Sequence, residues 1–93
     1  MTLAERHWRI LGFDAQDDRL RFRAALVDLS DEAARALLGL PHDDDLLGEY
    51  PLTPAMLDAV RSYLPPHVML PNGLNYDIDL GRGAAPAGAV RLP

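Results

Sequence analysis

The sequence predicts an α+β domain: a small antiparallel sheet, elements in the order β-β-α-α-β, with two short helices packed on one face of the sheet. Three observations carry this. Residues 20–26 alternate apolar and polar with period two, and residues 76–80 do so again. Between them, two segments repeat apolar residues at helical spacing behind clear N-terminal caps. At about 100–200 residues per domain, a chain of 93 residues holds one domain. The folded part is placed at residues 1–80, with 81–93 as a flexible Gly/Ala/Pro-rich tail.

Arg6 to Phe13 is rich in bulky, aromatic and β-branched residues and reads as the first strand. Asp14 to Asp18 is a five-residue polar loop. Leu20, Phe22, Ala24 and Leu26 then share one strand face, with Arg19, Arg21 and Arg23 on the other. The short loop makes the two strands an antiparallel hairpin. Trp8 and Ile10 share a face in the first strand but Phe13 falls on the opposite one; a bulge near Gly12 would turn Phe13 inward.

Ser30 is a capping residue, Asp31 and Glu32 suit the first turn of a helix, and Gly39 supplies a left-handed stop. Residues 41–51 read as an irregular acidic loop. Thr53 caps the second helix, Pro54 takes its first position, and Leu52 can staple against Leu57. Its apolar stripe is Met56, Leu57, Val60, Tyr63 and Leu64, and Pro65-Pro66 ends it. Pro71-Asn72-Gly73 is a turn leading into the third strand, where Tyr76, Ile78 and Leu80 alternate with Asp77 and Asp79.

Composition closes several function classes. There is no cysteine, so disulfides and thiolate chemistry are excluded. No apolar run approaches the ~20 residues of a membrane span, and residues 1–10 lack the apolar core of a signal peptide, so a cytoplasmic protein with no membrane role is expected. The net charge of −5 argues against nucleic acid as a partner and suits a basic protein instead. All nine basic residues are arginine; only Arg19, Arg21 and Arg23 cluster, as a solvated stripe that Asp77 or Asp79 would balance if the third strand paired alongside.

No chemistry-bearing constellation emerges. Asp43-Asp44-Asp45 lacks the alternating ligands and central glycine of a calcium loop. His7, His42 and His67 show no zinc-ligand spacing. Ser30 and Thr53 are committed to caps, and no nucleophile elbow or phosphate loop is present. The expectation is a protein that is not an enzyme, with no catalytic residues, no metal and no cofactor.

Leu47-Gly48-Glu49-Tyr50-Pro51-Leu52-Thr53, arriving about 18 residues after Leu29-Ser30-Asp31, resembles a small uncharacterised bacterial family. In that family a short helix and acidic loop lead to Gly-x-Tyr-Pro-[Leu/Val]-Thr, a second helix and a strand with a Tyr-Asp pair, here Tyr76-Asp77. The resemblance spans residues 29–80; residues 65–74 are longer than the family pattern, and Ile78 replaces an aromatic. It implies an immunity-type protein that protects a bacterium by binding a cognate toxin. Toxins that act on nucleic acids or nucleotides have basic clefts, which an acidic surface can occlude with electrostatic steering. The expected partner-binding residues are Asp43, Asp44, Asp45, Glu49 and Tyr50, on a chain that is monomeric when free. Within the motif, Gly48 is read as a sharp turn, the Tyr50 ring as covering the helix start, and Pro51 as stiffening the entry to the cap. The alternative is a small accessory or scaffold protein that self-associates and has no toxin partner.

Overall fold

A computed structural model of the chain describes residues 6–82 and 89–91. The first hairpin forms as its alternation dictates, from β1 (Arg6–Asp14) and β2 (Leu20–Ala25), paired antiparallel. Its loop is closed by the Asp14 N–H donating to the Arg19 carbonyl at 2.8 Å. The Asp14 carboxylate accepts the Gln16 N–H at 2.7 Å and the Asp17 N–H at 3.4 Å. The Gln16 bond is the main reason that the Asp14 pKa lies below the usual carboxylate range. The register shifts between Gly12 and Phe13, so the bulge is present. It does not bring Phe13 into the core, because the β1–β4 register runs through it unbroken and sets Phe13 opposite Asn75.

The first helix, α1 (Asp31–Leu38), starts where Ser30 Oγ accepts the Ala33 N–H at 3.1 Å. It ends at Gly39, whose φ of 69° lets its N–H reach the Ala36 carbonyl while the Leu40 N–H reaches that of Arg35. The second, α2 (Pro54–Arg61), starts with Thr53 Oγ1 accepting the Met56 N–H at 3.3 Å. It stops before Pro65: the N–H groups of Ser62, Tyr63 and Leu64 bond three residues back, a tightened last turn that brings the chain to a proline disfavouring helix in the residue before it.

Two strands are additional to the sequence reading: β3 (Glu49–Pro51) and β5 (Ala89–Arg91). With β4 (Leu74–Arg82) they complete a five-stranded antiparallel sheet in the order β3-β4-β1-β2-β5. Two expectations are corrected. The loop expected over 41–51 ends in an edge strand, because Glu49, Tyr50 and Pro51 pair with Asp79, Ile78 and Asp77. The tail expected over 81–93 is strand wherever it is described: Gly81 and Arg82 complete β4, and 89–91 pairs with β2. Residues 83–88 and 92–93 of that tail lie outside the described residues.

Both helices cover one sheet face. Trp8, Ile10, Phe22, Ala24, Tyr76 and Ile78 from that face meet Leu26, Ala34, Leu46 and Val60 in a single buried cluster. The Trp8 indole Nε1–H donates to Asp31 Oδ1 at 3.1 Å, tying the central strand to the start of α1. Of the predicted α2 stripe, Val60 is buried and Leu57, Tyr63 and Leu64 pack against the cluster, while Met56 does not. Gly12 is required by close approach: a Cβ there would lie 2.8 Å from Tyr76 Cε1 and 3.2 Å from Phe22 Cβ. Gly12→Ala is therefore expected to destabilise the domain by about 1–3 kcal/mol, the usual cost of overpacking, read from the midpoint of urea unfolding.

Candidate partner-binding surface

The acidic loop is braced from within. Leu46 adopts φ 58°, which leucine rarely does, and its side chain is only 3% exposed, so the loop curls to plug the core. Arg35 Nε donates to the Asp44 carbonyl at 2.9 Å. Asp44 Oδ1 accepts the Leu46 N–H at 2.8 Å and the Tyr50 hydroxyl at 3.2 Å, and that hydroxyl accepts the Gly48 N–H. Gly48 serves close approach rather than a left-handed turn: a Cβ there would meet the Tyr50 ring at 3.2–3.4 Å. The three aspartates thus differ in role. Asp44 and the Tyr50 hydroxyl hold the loop in shape, whereas Asp43 and Asp45 are exposed, with Asp45 Oδ1 only capping the Leu47 N–H at 3.4 Å.

Glu49 belongs elsewhere. Strand alternation places it on the sheet face that the helices leave uncovered, opposite Asp79, with Asp77 two register positions along on the same face. Three carboxylates therefore share two neighbouring strands. Arg9, opposite Asp79 on β1, clamps it with both arms, Nε to Oδ1 at 2.9 Å and Nη2 to Oδ2 at 2.6 Å. This pairing holds the Arg9 pKa above its ordinary value. The Glu49 carboxyl is pushed above the usual range by partial desolvation first, then by its hydrogen bond with Asp77 and the charges of Asp77 and Asp79. The raised Glu49 pKa thus reflects both its partial desolvation and two acidic neighbours on the adjacent strand.

The arginine stripe is partly neutralised by neighbouring aspartates. Arg21 pairs with Asp14 and Asp17, the latter at 2.8 Å, and Arg19 lies 3.9 Å from Asp17. Arg23 lies opposite the buried Leu11 and Val90. The balance expected from Asp77 or Asp79 fails because β4 pairs with β1, not β2, so it is Arg9 that meets Asp79. Among the described residues, no group of three or more His, Asp or Glu side chains is arranged to hold a metal ion. No described helix is long and apolar enough to cross a membrane.

Two acidic groups result, the exposed Asp43 and Asp45 of the loop and Glu49, Asp77 and Asp79 on the open face of the sheet. The sequence reading missed Asp77 and Asp79 as members, since only the β3–β4 pairing brings Glu49 to them. No family model, curated protein or solved structure matches the chain.

Two outcomes follow from the geometry. Tyr50→Phe removes the hydroxyl between Asp44 and Gly48, and is expected to cost about 0.5–1.5 kcal/mol and to speed amide exchange at Leu46 and Gly48. Glu49→Gln acts with the opposite sign. Because folding raises the Glu49 pKa, the folded state binds the proton more tightly, and stability falls as pH rises from the ordinary glutamate value through the raised one. The glutamine variant escapes that loss, so it should be more stable than the parent at pH 7, by no more than about 1 kcal/mol for so exposed a group. The gain should vanish below about pH 4. Urea titrations at the two pH values measure it.

Proposed function

We propose that this chain is an immunity-type binding protein, which neutralises a bacterial toxin domain by laying an acidic surface over its basic active cleft. One observation supports the reading above others: Glu49, Asp77 and Asp79 stand together on an uncovered sheet face, with Arg9 the one cation bonded to them among the described residues. Asp79 is held by Arg9, but the fold gains nothing from Glu49 and Asp77 beside it, since like charges on adjacent strands oppose pairing. A cationic partner relieves that repulsion on contact. The exposed Asp43 and Asp45 add to the long-range field that steers association. Asp44 and the Tyr50 hydroxyl contribute by holding the loop rather than by touching the partner.

The test is co-purification from bacteria expressing the neighbouring proteins, followed by association kinetics with the basic chain recovered. Glu49→Gln combined with Asp77→Asn should slow association about tenfold at low salt and leave little difference at about 0.5 M salt. Unchanged kinetics at low salt would overturn the assignment of this surface.

The scaffold reading has one observation in its favour. Leu37 of α1 and Met56, Ala59 and Tyr63 of α2 or its last turn line a shallow groove of about 470 Å³ on the outer side of the helices. A stable homodimer in sedimentation equilibrium, abolished by Met56→Glu, would favour self-association through that groove; a monomer favours the immunity reading.

A further inference from the structure

We infer that the groove beside β3 receives an apolar side chain of the partner, flanked in the partner's sequence by arginine or lysine; this rests on the proposed binding function and specifies its contact chemistry. The groove opens where β3 ends at Pro51 and the chain turns into α2, leaving the first residues of β4 without a strand on that side. Its volume is about 540 Å³. Phe13, Leu52, Leu57 and Leu74 line it, and Asp18 and Asp77 stand among the same walls.

Two features point to an occupant that is both apolar and cationic. Phe13 is a half-buried aromatic that the core cluster leaves out and that lines this groove, so its ring offers an apolar surface there. The carboxylates also stand apart from their neighbours. In the hairpin loop, Asp14 and Asp17 pair with Arg21, whereas Asp18, held at φ 60°, bonds to no cation among the described residues. Asp77 likewise bonds to no cation among the described residues, and Glu49 stands near it across the β3–β4 pairing. An aliphatic side chain seated on Phe13 and Leu57 would carry neighbouring guanidinium or ammonium groups to Asp18 and Asp77, forming charge-assisted pairs next to an apolar contact.

The probe is acetyl-Arg-Leu-Arg-amide, titrated into the full ¹⁵N-labelled chain, with acetyl-Gln-Leu-Gln-amide as the neutral counterpart. The expected result is saturable shifts at the amides of Phe13, Leu52, Leu74 and Asp77 with the cationic peptide, and at least tenfold weaker binding of the neutral one. Asp18→Asn with Asp77→Asn should weaken the cationic peptide about tenfold. Phe13→Ala, outside the core cluster, should weaken it with every charge retained, and its dispersed spectrum reports that the fold is kept. Shifts that avoid the groove, equal binding of both peptides, or indifference to the paired substitutions would overturn the inference. No partner protein enters this experiment. A groove that ignores the peptide, beside a partner whose association still depends on Glu49, overturns this inference alone; a groove that binds it while no basic partner is recovered counts against the function alone.

Discussion

Pairing of β1 with β4, nine residues on each strand, is the interaction on which the rest of the molecule depends. β1 is the central strand, and its own hairpin with β2 is local, but a hairpin alone is marginal in water. Only when β4 arrives from some 60 residues further along does the sheet gain Tyr76 and Ile78 beside Trp8 and Ile10, enough apolar face to hold α1 and α2. The same pairing sets Arg9 opposite Asp79, and it provides the edge on which β3 forms. The acidic surface thus forms by β3–β4 pairing on an edge that the long-range β1–β4 contact holds in place. It exists only once the domain has closed, and such contacts are slow to form because loop-closure entropy comes first.

That dependence explains what could be read in the chain and what could not. The β1–β2 hairpin, both capped helices and the core of β4 follow from features within a few residues: the alternation of Leu20 to Leu26, the Ser30 and Thr53 caps, the Gly39 stop. β3 and β5 are three residues each, too short for any period to show, and they are strands because β4 and β2 present unpaired edges to them. The site divides in the same way. Asp43 and Asp45 were visible as exposed acids in a run, while Asp77 and Asp79 looked like an ordinary solvated face. What makes that face unusual is Glu49, and its place beside them is set by strand register that no local pattern encodes.

Residues 43–50 also show one short segment meeting two demands. A loop that displays negative charge repels itself, and it needs internal bonds to keep a shape. Asp44 supplies them by turning its carboxylate inward to the Leu46 N–H and the Tyr50 hydroxyl, and Leu46 anchors the turn in the core despite its left-handed backbone. Backbone strain of this kind persists only where the surroundings over-determine it. The adjacent Asp43 and Asp45 are thereby freed to face outward. Identical residues in a run thus have distinct roles, set by which one the core and Arg35 can reach.

The crowding of Glu49, Asp77 and Asp79 sets a balance between stability and binding. A domain of this size is held by a margin of about 5–15 kcal/mol, so a surface that opposes its own strand pairing is a real burden. Arg9 relieves part of it by pairing with Asp79, while Glu49 keeps a raised pKa beside Asp77. An external cation set beside Glu49 and Asp77 lowers the free energy of such a surface by opposing their mutual repulsion. By linkage, any partner that binds only the folded state adds to its stability. A cationic partner does so with an added term, the release of repulsion stored between β3 and β4. The feature that weakens the free domain is the same one that would make its complex tight, which is why the acids are more readily understood as a binding surface than as part of the scaffold.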